Sequence, residues 1–174
     1  MSGYAADMPE LKPISVDAVP AALEKAERYR LLDEPIQAES ICLDVIAVDP
    51  ANQLALVTLL LARTDQFANG MGGALQRARN VLPALESAYN RAYYAGIICE
   101  RSAIARLQHG GHGAAAGVRD WVKDALEHYA EAERLRSPGN DDPILRWNAC
   151  VRLLERYPAG DDGADSSAGL MMLE

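Results

Sequence analysis

The sequence predicts an all-α protein of about seven helices packed as antiparallel pairs. Apolar residues recur every three or four positions in successive segments, as in helices with one buried face. No segment shows the alternation of apolar and polar residues that a strand would show. Ala and Leu supply most of the apolar fraction and only 6% of residues are aromatic, which favours helix over sheet. Since the connections are mostly short, consecutive helices should run antiparallel.

One folded domain is predicted between two polar ends. A length of 174 residues suits a single domain. Residues 1–17 are expected to form a partly disordered N-terminal extension, and residues 158–174, rich in Gly, Ser and Asp, an acidic disordered tail. Residues 18–157 form the predicted helical repeat domain. Its helices are expected at 18–32, 36–47, 51–63, 74–88, 90–108, 118–135 and 143–156.

The first three helices have clear boundary signals. Asp17 is in position to cap the first helix, and Pro20 is tolerated in its first turn. Asp49–Pro50 ends the second helix, because the residue before a proline avoids helical geometry. The third helix is apolar nearly all round from Leu54 to Leu61. This predicts that the helix is buried on two sides or that it exposes one apolar face that has a function.

The later helices carry three features of note. Pro83 falls inside the fourth predicted helix and should kink it. The fifth helix has a face of small residues around Gly96, which would allow a neighbouring helix to approach closely. Asp141 or Asp142 can cap the seventh helix. The glycine-rich segments 69–73 and 109–113 are expected to be flexible loops.

The first helix pair carries a specific pattern of small and large residues. The pattern consists of Ala26, Tyr29, Ala38, Cys42, Val45 and Asp49–Pro50. It resembles the tetratricopeptide repeat, a helix–turn–helix unit of 34 residues. Where that family prefers a large aromatic residue and Leu, this chain has Ala22 and Lys25. A degenerate second repeat, a lengthened third repeat and a capping seventh helix extend the resemblance to about residue 157. A helical bundle without repeats is the alternative.

The resemblance implies a short right-handed solenoid in which the first helix of each pair lines a concave groove. By the family's geometry, the groove residues are Leu23, Glu27, Val57, Leu61, Tyr93, Ile97, Arg101, Leu145, Ala149 and Arg152. Core packing is the alternative role for each apolar member. An apolar floor with Arg at one end would suit a peptide or helix segment that carries acidic groups. Leu23, Glu27 and Thr58 stand where the family's carboxylate-clamping modules have Lys and Asn, so that mode is not expected.

The net charge of −8 is unevenly distributed along the chain. Six of the eight negative charges belong to the two ends, whereas residues 63–119 hold seven arginines against three acidic residues. Arginine can form bidentate hydrogen bonds with carboxylates. An acidic partner or the chain's own tail is therefore expected to dock on this Arg-rich centre. Solvated helix faces are the alternative. The overall acidity argues against a nucleic-acid partner, which would require phosphate-neutralising Lys and Arg.

Compartment signals favour the cytoplasm. The first residues lack the basic and apolar regions of a signal peptide, and no apolar run approaches the length of a membrane span. Cys42, Cys99 and Cys150 are widely spaced and no CxxC pair occurs, which argues against a disulfide framework or a zinc module. The chain is therefore expected to be cytoplasmic, with no membrane partner.

Sequence motifs of catalysis are absent, including a nucleophile elbow, a zinc-protease helix and a phosphate-binding loop. His109 and His112 could bind zinc or nickel, but glycines separate them and no third ligand is near in sequence. We therefore expect no enzyme activity, cofactor or bound metal. The expected function is a non-enzymatic protein–protein interaction scaffold. A secretion-type chaperone, an assembly subunit, and a metal protein or enzyme based on the His109–His112 loop are the alternatives, and a homo-oligomer is compatible with each.

Overall fold

A computed structural model of the protein describes residues 9–70, 72–110 and 114–157. These ranges contain seven α-helices, three short 3-10 helices and turns, but no strand, which confirms the predicted all-α class. The helices are α1 (Val19–Leu31), α2 (Pro35–Val48), α3 (Gln53–Asp65), α4 (Gly72–Arg79), α5 (Ala88–His109), α6 (Ala114–Leu135) and α7 (Asp142–Arg156).

The fourth helix differs most from its predicted form. α4 ends at Arg79, and Pro83 lies in a separate 3-10 helix, Leu82–Ala84. The predicted kink at Pro83 is therefore wrong, because the helix stops before the proline and does not bend around it. A proline inside a helix removes a backbone donor and clashes with the preceding turn, which explains the break. The remaining helices begin and end within four residues of their predicted bounds.

Helix capping also departs from the sequence expectation. Ala18 is the N-cap of α1, while Asp17 lies in the preceding 3-10 turn, so the predicted Asp17 cap is wrong. Asp141 occupies the N-cap position of α7 but accepts no capping hydrogen bond through its side chain. The side chain of Asn52 caps α3 by accepting from the Ala55 amide at 2.9 Å. Ser87 caps α5 in the same way.

The helices pack in neighbouring pairs. Within α1–α3 and within α5–α7, each helix packs on the next one in sequence. In addition, α3 contacts both α1 and α5. One core cluster around Leu60, Phe67 and Leu85 joins α3 to α5. A second around Val122 and Tyr129 joins α5, α6 and α7. A third, smaller cluster lies at the start of α1, and Ile14 of the N-terminal segment packs against it.

α5 and α6 cross closely at Gly96. A Cβ atom at this position would lie 2.5 Å from Cε1 of the fully buried Tyr129 ring, so only glycine fits. The predicted face of small residues on the fifth helix is the face that is buried here, and it includes Ala92, Cys99 and Ala103. The sequence pattern therefore located the close helix contact, although it did not identify Tyr129 as the side chain that fills it.

Candidate functional site

An open groove of about 860 Å³ runs between α1 and α3. Its floor is formed by Val19, Leu23 and Thr58, which are all buried. Its walls are Pro20, Glu24, Glu27 and Arg28 of α1 together with Asn52 and Leu54 at the start of α3. The lining residues of α1 span nine residue steps, or about 13 Å at 1.5 Å per residue. We call this feature the α1–α3 groove; its length suits two to three turns of a partner helix.

Two local features build the α1–α3 groove. Along α1, Val19, Leu23 and Glu27 recur at intervals of four, so they form a single ridge along the groove. At the start of α3, the Asn52 cap fixes the first turn and Leu54 follows directly after it. Leu54 is 61% exposed at the rim, beside a floor that is already buried. The groove therefore presents a large apolar side chain to solvent at an open concave surface.

The polar rim of the α1–α3 groove is mostly acidic. Glu24 and Glu27 stand against the single cation Arg28. Glu27 makes only a long contact of 3.5 Å with Arg30, and that arginine turns instead to Asp65 of α3 at 2.8 Å. The groove is thus apolar at its floor and carries a small excess of negative charge at its edge.

The arginines of segment 63–119 act as internal cross-links between elements of the fold. Arg63 donates to Glu39 of α2 at 2.8 Å, Arg101 pairs with Asp65 of α3, and the guanidinium of Arg79 lies 5.3 Å from the Trp121 ring centroid. The other contacts join Arg77 to Glu39, Arg91 to the Leu85 and Glu86 carbonyls and Arg119 to the Tyr157 carbonyl. Six of the seven arginines therefore have partners within the fold. The tail 158–174, expected to dock there, lies outside the described residues.

Glu39 is the main acidic partner of these arginines. Burial on its own would raise the pKa of Glu39, but hydrogen bonds from Gln66 and Arg63 and the nearby charge of Arg77 outweigh it. The pKa of the carboxyl is therefore lowered from its ordinary value. Glu39 stays ionised at neutral pH and fastens α2 to α3 and to the segment that follows.

Tyrosines and a half-exposed ion pair link α5, α6 and α7. Tyr89 stacks on Tyr93 with ring centroids 5.7 Å apart. The buried Glu100 carboxylate accepts from the Tyr129 hydroxyl at 2.5 Å and from Arg146 of α7 at 3.3 Å. Burial and then the negative Glu100 raise the pKa of Tyr129, so its hydroxyl remains a hydrogen-bond donor. The polar atoms of Glu100 and Tyr129 are therefore satisfied by partners within the fold.

The ten predicted groove residues separate into four environments. Leu23 and Glu27 line the α1–α3 groove. Four others, Val57, Leu61, Tyr93 and Ile97, pack into the two larger core clusters, while Arg101 bonds to Asp65. The remaining three, Leu145, Ala149 and Arg152, are exposed on α7. The structure thus gathers only the first two of these ten residues in the α1–α3 groove.

Sequence reasoning missed several residues of the α1–α3 groove. Val19 lies four residues before Leu23, so extending the ridge of Leu23 and Glu27 toward the N-terminus would have found it, and Glu24 lies three residues before Glu27. For Leu54, the sequence offered a partial indication, because a third helix that is apolar nearly all round predicts either burial on two sides or one exposed apolar face. The sequence does not show that the exposed start of α3 lies beside α1.

The chemistry of the three cysteines is that of core residues. Burial raises the pKa of Cys42 and Cys150 to about 12 and that of Cys99 to about 11, so the thiols are protonated at neutral pH. A reactive cysteine requires the opposite shift. His109 is exposed at the end of α5, while His112 lies outside the described residues. Within the part of the chain that the structure describes, no group of three or more His, Cys, Asp or Glu could hold a metal ion.

Comparison of this chain with protein-family models, with curated proteins and with solved structures found no match in any of the three. The site is therefore interpreted from its own geometry. Across the described ranges, none of the helices has the length and apolar character needed to cross a membrane.

Proposed function

We propose that this protein is a non-enzymatic interaction scaffold that binds a short helical segment of a partner protein in the α1–α3 groove. One observation carries the proposal: Leu54 is 61% exposed at the edge of a concave groove whose floor, Val19 and Leu23, is apolar and buried. Exposed apolar surface beside a preformed groove is the arrangement by which amphipathic helices are recognised.

The charge of the rim defines the partner's chemistry. Glu24 and Glu27 flank the floor, so a segment with apolar residues on one face and Lys or Arg beside them would be complementary. An acidic partner, the sequence-based expectation, is less well matched because most of the arginines that suggested it have partners within the fold.

The packing of α1 and α2 supports the proposal that the scaffold resembles tetratricopeptide repeats. Ala26, Ala38, Cys42 and Val45, four residues of the repeat-like pattern, are completely buried. Contacts between alternate helices α1, α3 and α5 are also those expected of stacked helix pairs. Protonated and buried thiols fit a reducing compartment such as the cytoplasm, which we propose as the location.

Two synthetic helical peptides of equal length test the proposal, one with Leu and Lys on opposite faces and one with Leu and Glu. Fluorescence anisotropy of the labelled peptides should show that the chain prefers the Leu/Lys peptide. Leu54→Ser should weaken that binding at least about tenfold, since burial of a leucine is worth roughly 1.5–3 kcal/mol. The double variant Glu24→Lys/Glu27→Lys should reverse the preference in favour of the Leu/Glu peptide.

Leu145→Ser provides the matched control, because Leu145 is 63% exposed on α7 and lies outside the α1–α3 groove. This variant should bind as the unchanged chain does. Equal affinity for the two peptides, together with binding that is insensitive to Leu54→Ser, would overturn the proposal.

A further inference from the structure

The outward face of α2 carries four exposed and uncharged residues in one line. They are Ile36, Ser40, Leu43 and Ala47, which recur at intervals of four, three and four and therefore lie above one another on the helix. Ile36 is 68% exposed and Leu43 is 46% exposed. We call these four residues the outer stripe of α2. The opposite face of α2 is buried against α1 and α3.

We infer that the outer stripe of α2 is a self-association surface, on which a second copy of this chain packs its own α2 antiparallel. Large and small residues alternate along the stripe in an order that is its own complement. With a twofold axis midway along the stripe, Ile36 faces Ala47 of the second copy and Ser40 faces Leu43 of the second copy. Each large side chain then meets a small one, as the self-complementary face of a twofold interface requires.

Charge also favours a second copy as the occupant of this face. The chain carries a net charge of −8, so two copies repel each other as whole molecules and can approach most easily where charge is absent. The acidic residues of α2, Glu39 and Asp44, lie outside the stripe, and Glu39 is already bonded to Arg63. A basic partner would instead be drawn to the acidic rim of the α1–α3 groove.

The area available sets the strength of the association. A helix of 14 residues is about 21 Å long and about 10 Å wide, which gives a footprint of roughly 200 Å² per copy. Leu31 and Leu32, at the C-terminal end of α1, are exposed as well. The footprint of α2 is well below the roughly 800 Å² per partner of a standard stable interface, so the dimer should be weak and reversible.

The stripe is independent of the proposed binding function. It lies on α2, whereas the α1–α3 groove is lined by α1 and the start of α3. A dimer formed through α2 would therefore leave the groove lining of each copy in place. Either proposal can fail while the other survives.

Sedimentation equilibrium over a wide concentration range, at low and at high sodium chloride, tests the inference. A monomer–dimer equilibrium is expected, and added salt should strengthen it by screening the repulsion between two acidic copies. Ser40→Leu should weaken dimerisation about tenfold, because it places a large side chain opposite Leu43 of the second copy. The exchange Ser40→Leu/Leu43→Ser should restore it, because large again faces small.

The exchange variant distinguishes a specific interface from non-specific hydrophobic association. If exposed apolar surface alone drove association, Ser40→Leu would strengthen it and the exchange would have little effect. Leu145→Ser, which alters an exposed leucine on α7, should leave the dimer unchanged. Circular dichroism checks that each variant keeps its helix content, and the second exchange, Ile36→Ala/Ala47→Ile, gives an independent pair. A monomer at every concentration, or stronger association of Ser40→Leu, would overturn the inference.

Discussion

In both the N-terminal helices α1–α3 and the C-terminal helices α5–α7, neighbouring helices pack in pairs. The two groups differ in the space between the first and the third helix of each group. Between α1 and α3, Leu23 and Thr58 leave an open groove of about 860 Å³. Between α5 and α7, Tyr93 packs into the core and Arg146 reaches across to Glu100. The N-terminal helices thus present an open groove, whereas an ion pair joins α5 to α7 among the C-terminal helices.

The two regions also use their buried acids differently. Glu39 is partly exposed and ties α2 to the outer arginines, whereas Glu100 is buried and is held by a tyrosine and an arginine from two other helices. A closed polar network of this kind fixes one arrangement of its helices. We therefore expect the C-terminal helices to be the rigid part of the molecule and the N-terminal helices the part that opens more readily, as binding surfaces often do.

Gly96→Ala should produce the largest change, and it tests the rigidity of the C-terminal region. The new methyl group would lie 2.5 Å from Cε1 of Tyr129, and that ring is held in place by burial and by its bond to Glu100. Overpacking of this kind costs about 3 kcal/mol at the upper part of its usual range, enough to outweigh the better helix propensity of alanine. Urea denaturation of the variant and the unchanged chain measures the loss of unfolding free energy.

Gly73→Ala is the matched control for that variant. At Gly73, the added methyl group would meet only the end of the flexible Arg77 side chain, at 3.2 Å. The same substitution should therefore be neutral or stabilising by up to about 1 kcal/mol, because alanine favours helix. Equal effects of the two substitutions would show that α5 and α6 can separate, contrary to the rigid packing argued above.

The sequence predicted the close helix contact of the C-terminal region better than the groove of the N-terminal region. Local sequence patterns predicted seven helices, six of them within four residues of their observed bounds, and the small face around Gly96 marked the close contact of α5 with α6. The α1–α3 groove depends on which residues of two distant helices meet, and spacing does not report that. Tyr93 and Ile97 fit the family's groove register equally well, yet they pack into the core because neighbouring large side chains occupy the space.

Glu39→Gln should produce a smaller, pH-dependent change in the N-terminal region. The folded pKa of Glu39 is lowered, so its contribution is present above the ordinary value of 4.5 and is lost as the pH falls through the lowered value. At pH 7 the substitution should cost about 1 kcal/mol of unfolding free energy, the usual worth of a hydrogen bond of this kind. The difference from the unchanged chain should shrink as the pH is lowered below 4.5.

Glu133→Gln is the control for the pH series, because Glu133 is exposed on α6. Its effect should stay within about 0.5 kcal/mol across the same pH range, as for most surface substitutions. A pH-independent loss in Glu39→Gln would mean that the amide lost packing and not charge. In that case the arginines around Glu39 would not hold α2 to α3.

Thiol labelling should give the smallest effect and compares the two regions directly. Cys42 lies in α2 and Cys99 in α5, both buried, with pKa values raised to about 12 and about 11. In single-cysteine variants a thiol reagent at pH 8 should react slowly with either until the chain opens locally, and quickly after denaturation. Because α2 belongs to the region with the open groove, Cys42 should react several-fold faster than Cys99. Equal rates would show that the two regions open together, so the open groove would not reflect a locally less stable region.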